Sequence, residues 1–210
     1  EVIVTGNGIA YTSTFQAIRL KPGNRMFANM GCASMGYDLP AAIGAAFAAE
    51  GRDVLCFCGD GSIQMNIQEL QTIVHYKLPI KILMLNNDGY LSIKHTQHAF
   101  FNDHFVGSNP ASGVVLPDMQ KIAAAYGLPT FHIANTAELY SVLPKVLATP
   151  GPVFCEFVCD PFESVGPKSA SRKLPDGRMV SSPLEDLFPF LDRKEFFDNM
   201  IVKPLDEGNI

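Results

Sequence analysis

The chain alternates between short apolar runs and helix-like stretches. Apolar or β-branched runs at residues 2–5, 25–28, 54–58, 80–85, 130–133 and 153–157 predict strands. The segments between them predict helices over 12–20, 38–49, 67–75, 90–99, 118–126 and 137–147. Two of these end on a stop signal, Gly51 after AAFAAE and Gly127 after KIAAAY, because glycine takes up the left-handed turn that closes a helix. The central strands are read as apolar, which suits strands of a parallel sheet covered on both faces. Residues 1–160 are therefore expected to form a doubly wound α/β domain, a mostly parallel six-stranded sheet with helices on both faces. Beyond residue 160 the stretch DPFESVGPKSASRKLPDGRMVSSPLEDLFPF is rich in Pro, Ser and Gly. Residues 161–210 are read as an irregular C-terminal arm with a short helix near 192–200.

Composition narrows the class. Hydrophobic residues make up 47% of 210 and charged residues 18%, the balance of a folded globular chain. A net charge of −5 without a basic cluster argues against a nucleic-acid partner. The longest mostly apolar stretch, LPAAIGAAFAAEG, is too short and too interrupted to span a bilayer, so no membrane partner is expected. The five cysteines, Cys32, Cys56, Cys58, Cys155 and Cys159, form no CxxC pair and read as reduced, mostly buried thiols of a cytoplasmic protein. The chain opens inside a strand-like pattern, EVIVTGNG, and is read as a piece of a longer protein.

Two polar loops carry the candidate chemistry. Gly59-Asp60-Gly61-Ser62 follows the third predicted strand and Asn86-Asn87-Asp88-Gly89 the fourth. Either alone is an ordinary turn sequence. Together, after two buried strands with a helix between them, they signal a site, since ligands of open α/β sheets bind at the carboxyl ends of strands. Asp60 offers a hard anionic oxygen for Mg2+ or Ca2+, and Asn87 a neutral amide oxygen. Gly89 lets a backbone carbonyl turn inward. Three protein oxygens leave room in an octahedron for water and two phosphate oxygens. Gly59 and Gly61 permit close backbone approach to a phosphate, and Ser62 adds a hydroxyl. Met35 is apolar, polarisable and adaptable, which suits a buttress as well as an ordinary core position. Lys94 could meet an acidic substrate but reads first as a solvated helix residue, and His95 and His98 read as surface or core residues, with His95 a candidate to face a substrate.

The motif GDGS followed by NN resembles that of thiamine diphosphate-dependent enzymes, acetohydroxyacid (acetolactate) synthases in particular. SMGYDLPAAIGAA at 34–46 and MNIQEL at 65–70 resemble further segments of that family. The resemblance covers about residues 1–160, the family's C-terminal, diphosphate-binding domain. It implies that Asp60 and Asn87 ligate the metal through side chains and Gly89 through its backbone. It places Gly59, Gly61, Ser62 and Asn87 around the diphosphate, and Gly8, Ile9 and Ala10 beside it. Met35 would hold the cofactor in its V shape, and the Ala33 carbonyl and Met35 N–H would hold the aminopyrimidine. It further implies decarboxylation of a 2-keto acid, pyruvate being the expected donor, followed by carboligation. The activating glutamate is expected on an N-terminal pyrimidine-binding domain outside these residues, and any FAD site on a middle domain likewise outside them. No catalytic residue is therefore expected in this chain, which alone should be inactive. A homodimer or homotetramer is expected, with exposed apolar surface on this domain.

Two departures qualify the resemblance. Where the synthases carry Gln-His donors to the diphosphate, this chain has Ile9-Ala10, which offer only backbone N–H groups. Where the typical synthase has a Trp that favours one acceptor, this chain has Thr96 and no Trp anywhere. A carboligase acting on another carbonyl acceptor, such as a modified sugar, therefore stays open beside the acetolactate reading. So does a non-catalytic module binding metal or cofactor.

Overall fold

The computed structural model describes residues 1–174 and 176–203, and the chain divides into two units, Glu1–Glu163 and Ser164–Ile210. The first unit runs β1 (Val2–Thr5), α1 (Gly8–Ala17), β2 (Arg25–Ala28), α2 (Asp38–Ala48), β3 (Val54–Gly59), α3 (Asp60–Ile63), a 3-10 turn (Gln64–Asn66) and α4 (Glu69–His75). It continues with β4 (Ile80–Asn86), α5 (Leu91–Phe100), a second 3-10 turn (Pro110–Ser112), α6 (Met119–Ala125), β5 (Thr130–Ile133), α7 (Thr136–Ala148) and β6 (Val153–Val158). The six strands lie in the order β2-β1-β3-β4-β6-β5, and every neighbouring pair is parallel. The expected doubly wound α/β fold is present, with a sheet that is parallel throughout.

Strand alternation builds two cores. Cys56, Cys58, Ile80, Ile82, Met84 and Phe154 point to one face, where Leu39 and Ala42 of α2, Leu70 and Ile73 of α4, and Met119 and Ala123 of α6 cover them. Leu55, Phe57, Leu83, Val153 and Cys155 point to the other, against Leu139, Val142, Leu143 and Val146 of α7. Successive side chains of a strand face opposite ways, so apolar runs covered on both sides need both layers.

One strand position breaks the apolar pattern. Lys81 in β4 is 1% exposed and donates its ammonium protons to the carbonyls of Thr149 and of Gly151, the latter at 2.8 Å. Asp53 lies 3.8 Å away. Thr149 is the C-terminal cap of α7, so the charge satisfies carbonyls that a helix end leaves without donors.

One helix begins a full turn before its predicted start, and one short helix stands where a loop is predicted. α1 starts at Gly8, which takes a positive φ of 60°. GDGS is not a loop: Gly59 caps in extended geometry and Asp60 opens a helical turn. Side chains cap two helices: Asn135 accepts from the Glu138 N–H ahead of α7, and Asp118 from the Lys121 N–H ahead of α6.

The second unit is more ordered than an irregular arm. Strands β7 (Ser171–Lys173) and β8 (Met179–Ser181) pair antiparallel. Helix α8 (Arg193–Asn199) falls at the expected place, capped by Asp192. Arg193 makes a two-pronged bond to the buried Asp186, at 2.8 and 2.9 Å.

Candidate functional site

The winding direction reverses between β1 and β3: β1 leads outward to β2, and the chain returns to lay β3 on the other side of β1. Such a reversal opens a crevice at the carboxyl ends of the strands. A cavity of about 250 Å3 lies there. Residues 7–10 after β1, Met35 after β2, Gly59 at the end of β3 with residues 60–62 after it, and Leu85 near the end of β4 with Asn87 and residues 89–93 after it line it. Gly8, Ile9, Ala10, Met35, Gly59, Asp60, Gly61, Ser62, Asn87 and Gly89 thus meet around one space. Ala33 lies outside this lining, on the exposed loop between β2 and α2.

Asp60 and Asn87 converge because β3 and β4 are adjacent. Asp60 Oδ2 accepts the Asn87 N–H at 3.1 Å and the Gly89 N–H at 3.0 Å, and Oδ1 accepts the Gly61 N–H at 2.7 Å. A carboxylate has about four lone-pair sites, so these three bonds leave one on Oδ1. Asp60 is 4% exposed. Burial pushes its pKa above the ordinary carboxylate value, while the three N–H groups and the Lys94 charge pull it down. A buried carboxylate in this state gains from a nearby cation.

Asn87 holds the clearest chemical signal. Its side-chain Oδ1 is buried and has no hydrogen-bond partner, although buried polar atoms are nearly always paired. Among the described residues no three His, Cys, Asp or Glu cluster as a metal cage. A cation at this site must therefore draw on amide and backbone oxygens, as Asn87 and Gly89 offer. The N–H groups of Ile9 and Ala10 fall in the first turn of α1, where backbone donors have no intrahelical acceptor. Their side chains bring no donor, but their position does.

Two glycines are explained by packing. A Cβ at Gly61 would meet the Tyr90 ring at 2.4 Å. At Gly89, where φ is +117°, it would meet the Ser108 carbonyl oxygen at 2.4 Å.

Polar braces that the sequence reading missed hold the loops. Buried Asp38, at the start of α2, accepts the Ser62 hydroxyl at 2.7 Å through Oδ2 and the Leu39 N–H at 2.9 Å through Oδ1. Burial raises the Asp38 pKa against these bonds. Ser62 Oγ in turn accepts the Gly36 N–H at 2.9 Å, and Asn66 Nδ2 donates to the Gly36 carbonyl at 2.6 Å. The hydroxyl proton expected for a phosphate is thus given to Asp38. Gly36 is held on both sides, next to Met35, whose side chain is 42% exposed beside the cavity.

Lys94 is not solvated. It is 1% exposed and donates to the carbonyls of Asn87 at 2.7 Å and Asp88 at 3.2 Å. Burial lowers its pKa against the pull of Asp60, Asp88 and Asp160. On the other flank Glu156 of β6, 9% exposed, accepts from Asn86 Nδ2 at 2.6 Å. The signal for Glu156, as for Lys81, was a single charge inside an apolar strand. His95 Nε2 lies 3.4 Å from the Phe162 carbonyl, and exposed His98 pairs with Asp103. Cys56, Cys58 and Cys155 are buried, Cys159 is half-buried and Cys32 exposed, and burial pushes the Cys155 thiol up to about 12.

Comparison with known proteins gives the family. Residues 6–157 match the family described as thiamine pyrophosphate enzyme, C-terminal TPP binding domain. The chain is 35% identical over 185 residues to the acetolactate synthase large subunit of Porphyra purpurea, covering 82% of this chain and 31% of that protein. It is 40% identical over 143 residues to that of Pyropia yezoensis, covering 68% and 24%. It is 37% identical over 166 residues to the acetolactate synthase isozyme 1 large subunit of Escherichia coli (strain K12), covering 79% and 29%. The chain spans less than a third of the length of these relatives.

Proposed function

The chain belongs to the thiamine pyrophosphate enzymes, as their C-terminal cofactor-binding domain, and from that premise we propose that it serves a Mg2+-dependent 2-keto acid decarboxylase and carboligase of acetolactate synthase type. The unpaired Asn87 Oδ1 beside the buried Asp60 carboxylate carries this reading. Asp60 Oδ1, Asn87 Oδ1 and the Gly89 carbonyl hold the divalent cation, and the cation and cofactor are Mg2+, or Ca2+ in its place, and thiamine diphosphate. The cation relieves both the orphaned amide oxygen and the desolvated carboxylate.

The other residues bind and orient. Backbone N–H groups of Gly8, Ile9 and Ala10 face the diphosphate from α1, and that of Ser62 from α3, with Gly59 and Gly61 letting the backbone come close. Met35, on a backbone fixed through Gly36, buttresses the bound cofactor, with the Ala33 carbonyl and Met35 N–H on its aminopyrimidine. When bound, thiamine diphosphate supplies the carbon nucleophile and the electron sink for loss of CO2. We assign no catalytic residue to this chain. The activating carboxyl comes from a pyrimidine-binding domain of the same or a partner subunit, within a cytoplasmic homo-oligomer that uses pyruvate as donor. Any FAD belongs to a further domain.

Titration calorimetry of thiamine diphosphate into the protein tests the metal reading. Saturable heat is expected with Mg2+ and not with EDTA, and the D60A variant should bind about 100-fold more weakly, since it removes the only charged ligand. Mg2+-independent binding, or wild-type affinity in D60A, would falsify it.

A further inference from the structure

The loop from Asn86 to Gly89 carries backbone strain that something must hold. Asp88 sits at a φ of +56°, the left-handed region that non-glycine residues adopt at a cost and only where their surroundings enforce it. Two side chains enforce it from opposite flanks. Lys94 takes the Asn87 and Asp88 carbonyls. On the other flank, Asn86 Oδ1 accepts the Asp88 N–H at 3.1 Å while Asn86 Nδ2 donates to Glu156 Oε1 at 2.6 Å.

That second link is directional. An amide side chain can turn over, but a carboxylate only accepts. Glu156 therefore fixes the Asn86 nitrogen towards itself and the Asn86 oxygen towards Asp88. Glu156 is in turn fixed from β5 and α6: its Oε2 accepts from Gln120 Nε2 at 3.2 Å and lies 4.0 Å from His132 Nε2. Gln120 also donates to the Phe131 carbonyl at 2.8 Å.

We propose that Glu156 is a positioning residue for the cation site, acting through Asn86 to set the backbone from which Asn87 and Gly89 reach the metal. This rests on the metal reading above. It makes the far side of the sheet, β5 and α6, part of what determines metal affinity, although neither touches the cavity.

Mn2+ uptake in the presence of thiamine diphosphate, read as loss of the free-ion electron paramagnetic resonance signal, tests it. E156L and N86A should each weaken Mn2+ binding about tenfold, the scale typical of residues that orient metal ligands. The E156L/N86A double variant should be no weaker than either single one, because both break the same link. E156Q can offer Asn86 Nδ2 an oxygen only by setting its own NH2 against the donor Gln120 Nε2, so it should lose affinity too, by about threefold, between wild type and E156L. A purely structural role would instead lower melting temperature and leave Mn2+ affinity of the folded protein unchanged. If E156L does not fold, N86A alone decides, since it leaves the other Glu156 partners in place. Wild-type Mn2+ affinity in N86A, or losses that multiply in the double variant, overturns the proposal alone. Wild-type protein that takes up no Mn2+ overturns the metal reading and this proposal together.

Discussion

The two ends of strand β4 bury polar groups to similar depth and treat them differently. At the amino end Lys81, 1% exposed, spends its ammonium on two carbonyls, with a carboxylate 3.8 Å away. At the carboxyl end Asn87, 5% exposed, keeps its side-chain oxygen without any partner. A polar group sealed into a core is tolerated when its bonds are made there. The amino end meets that condition with protein atoms alone and is architecture. The carboxyl end meets it only when something else arrives.

The sharpest way to break the contrast is at Lys81. K81M strips the donor from two part-buried carbonyls and should lower stability by about 1–3 kcal/mol, read from urea midpoints, while cofactor affinity of the folded protein stays within about twofold. A loss well below 1 kcal/mol would mean that water already serves those carbonyls.

The opposite pattern is expected at Asn87. N87A removes an unpaired group, so stability without ligand should change by less than about 1 kcal/mol. Mg2+-dependent binding should fall about tenfold or more, with one ligand gone. If N87A unfolds as readily as K81M, the amide oxygen has a structural partner and the contrast fails.

The smallest effect sharpens the picture at Asp38. Burial raises its pKa above 3.8, so the native state keeps a proton that the unfolded chain has released. Its contribution to stability therefore falls as pH rises from 3.8 through the raised native value, because the native state binds more protons there. D38N lacks that component. Its urea midpoint should gain on wild type as pH climbs through this window, on top of a constant offset. Parallel curves would mean that Asp38 titrates alike in both states.

Much of this was legible beforehand, and the misses share a cause. Strands β1, β2 and β5 fall at the residues predicted from apolar runs, because burial dictates those runs directly. Asp60, Asn87 and Gly89 meet at one cavity, as their places after two strands that prove adjacent suggest. Asp38, Asn66, Asn86 and Glu156 were not read as site residues, since their part depends on which strands lie side by side, and β6 sits beside β4 only in three dimensions. Lys94 was misread because a lysine in an amphipathic helix is normally solvated, and only the loop carbonyls above it make burial worthwhile. The β7–β8 hairpin was hidden by composition: its Asp176-Gly177 turn, with Gly177 at a φ of +88°, was an available signal set aside among prolines and serines.

The double tether on Gly36 has a mechanical consequence. Its N–H and carbonyl are bonded to Ser62 and Asn66, so the segment bearing Met35 and the segment bearing Asp60 behave as jaws cast in one piece. The gap between them is set by residues 62–66 before any guest enters. Re-engineering this domain for a bulkier guest would require altering both jaws at once, since widening either alone would tear the joint that aligns them.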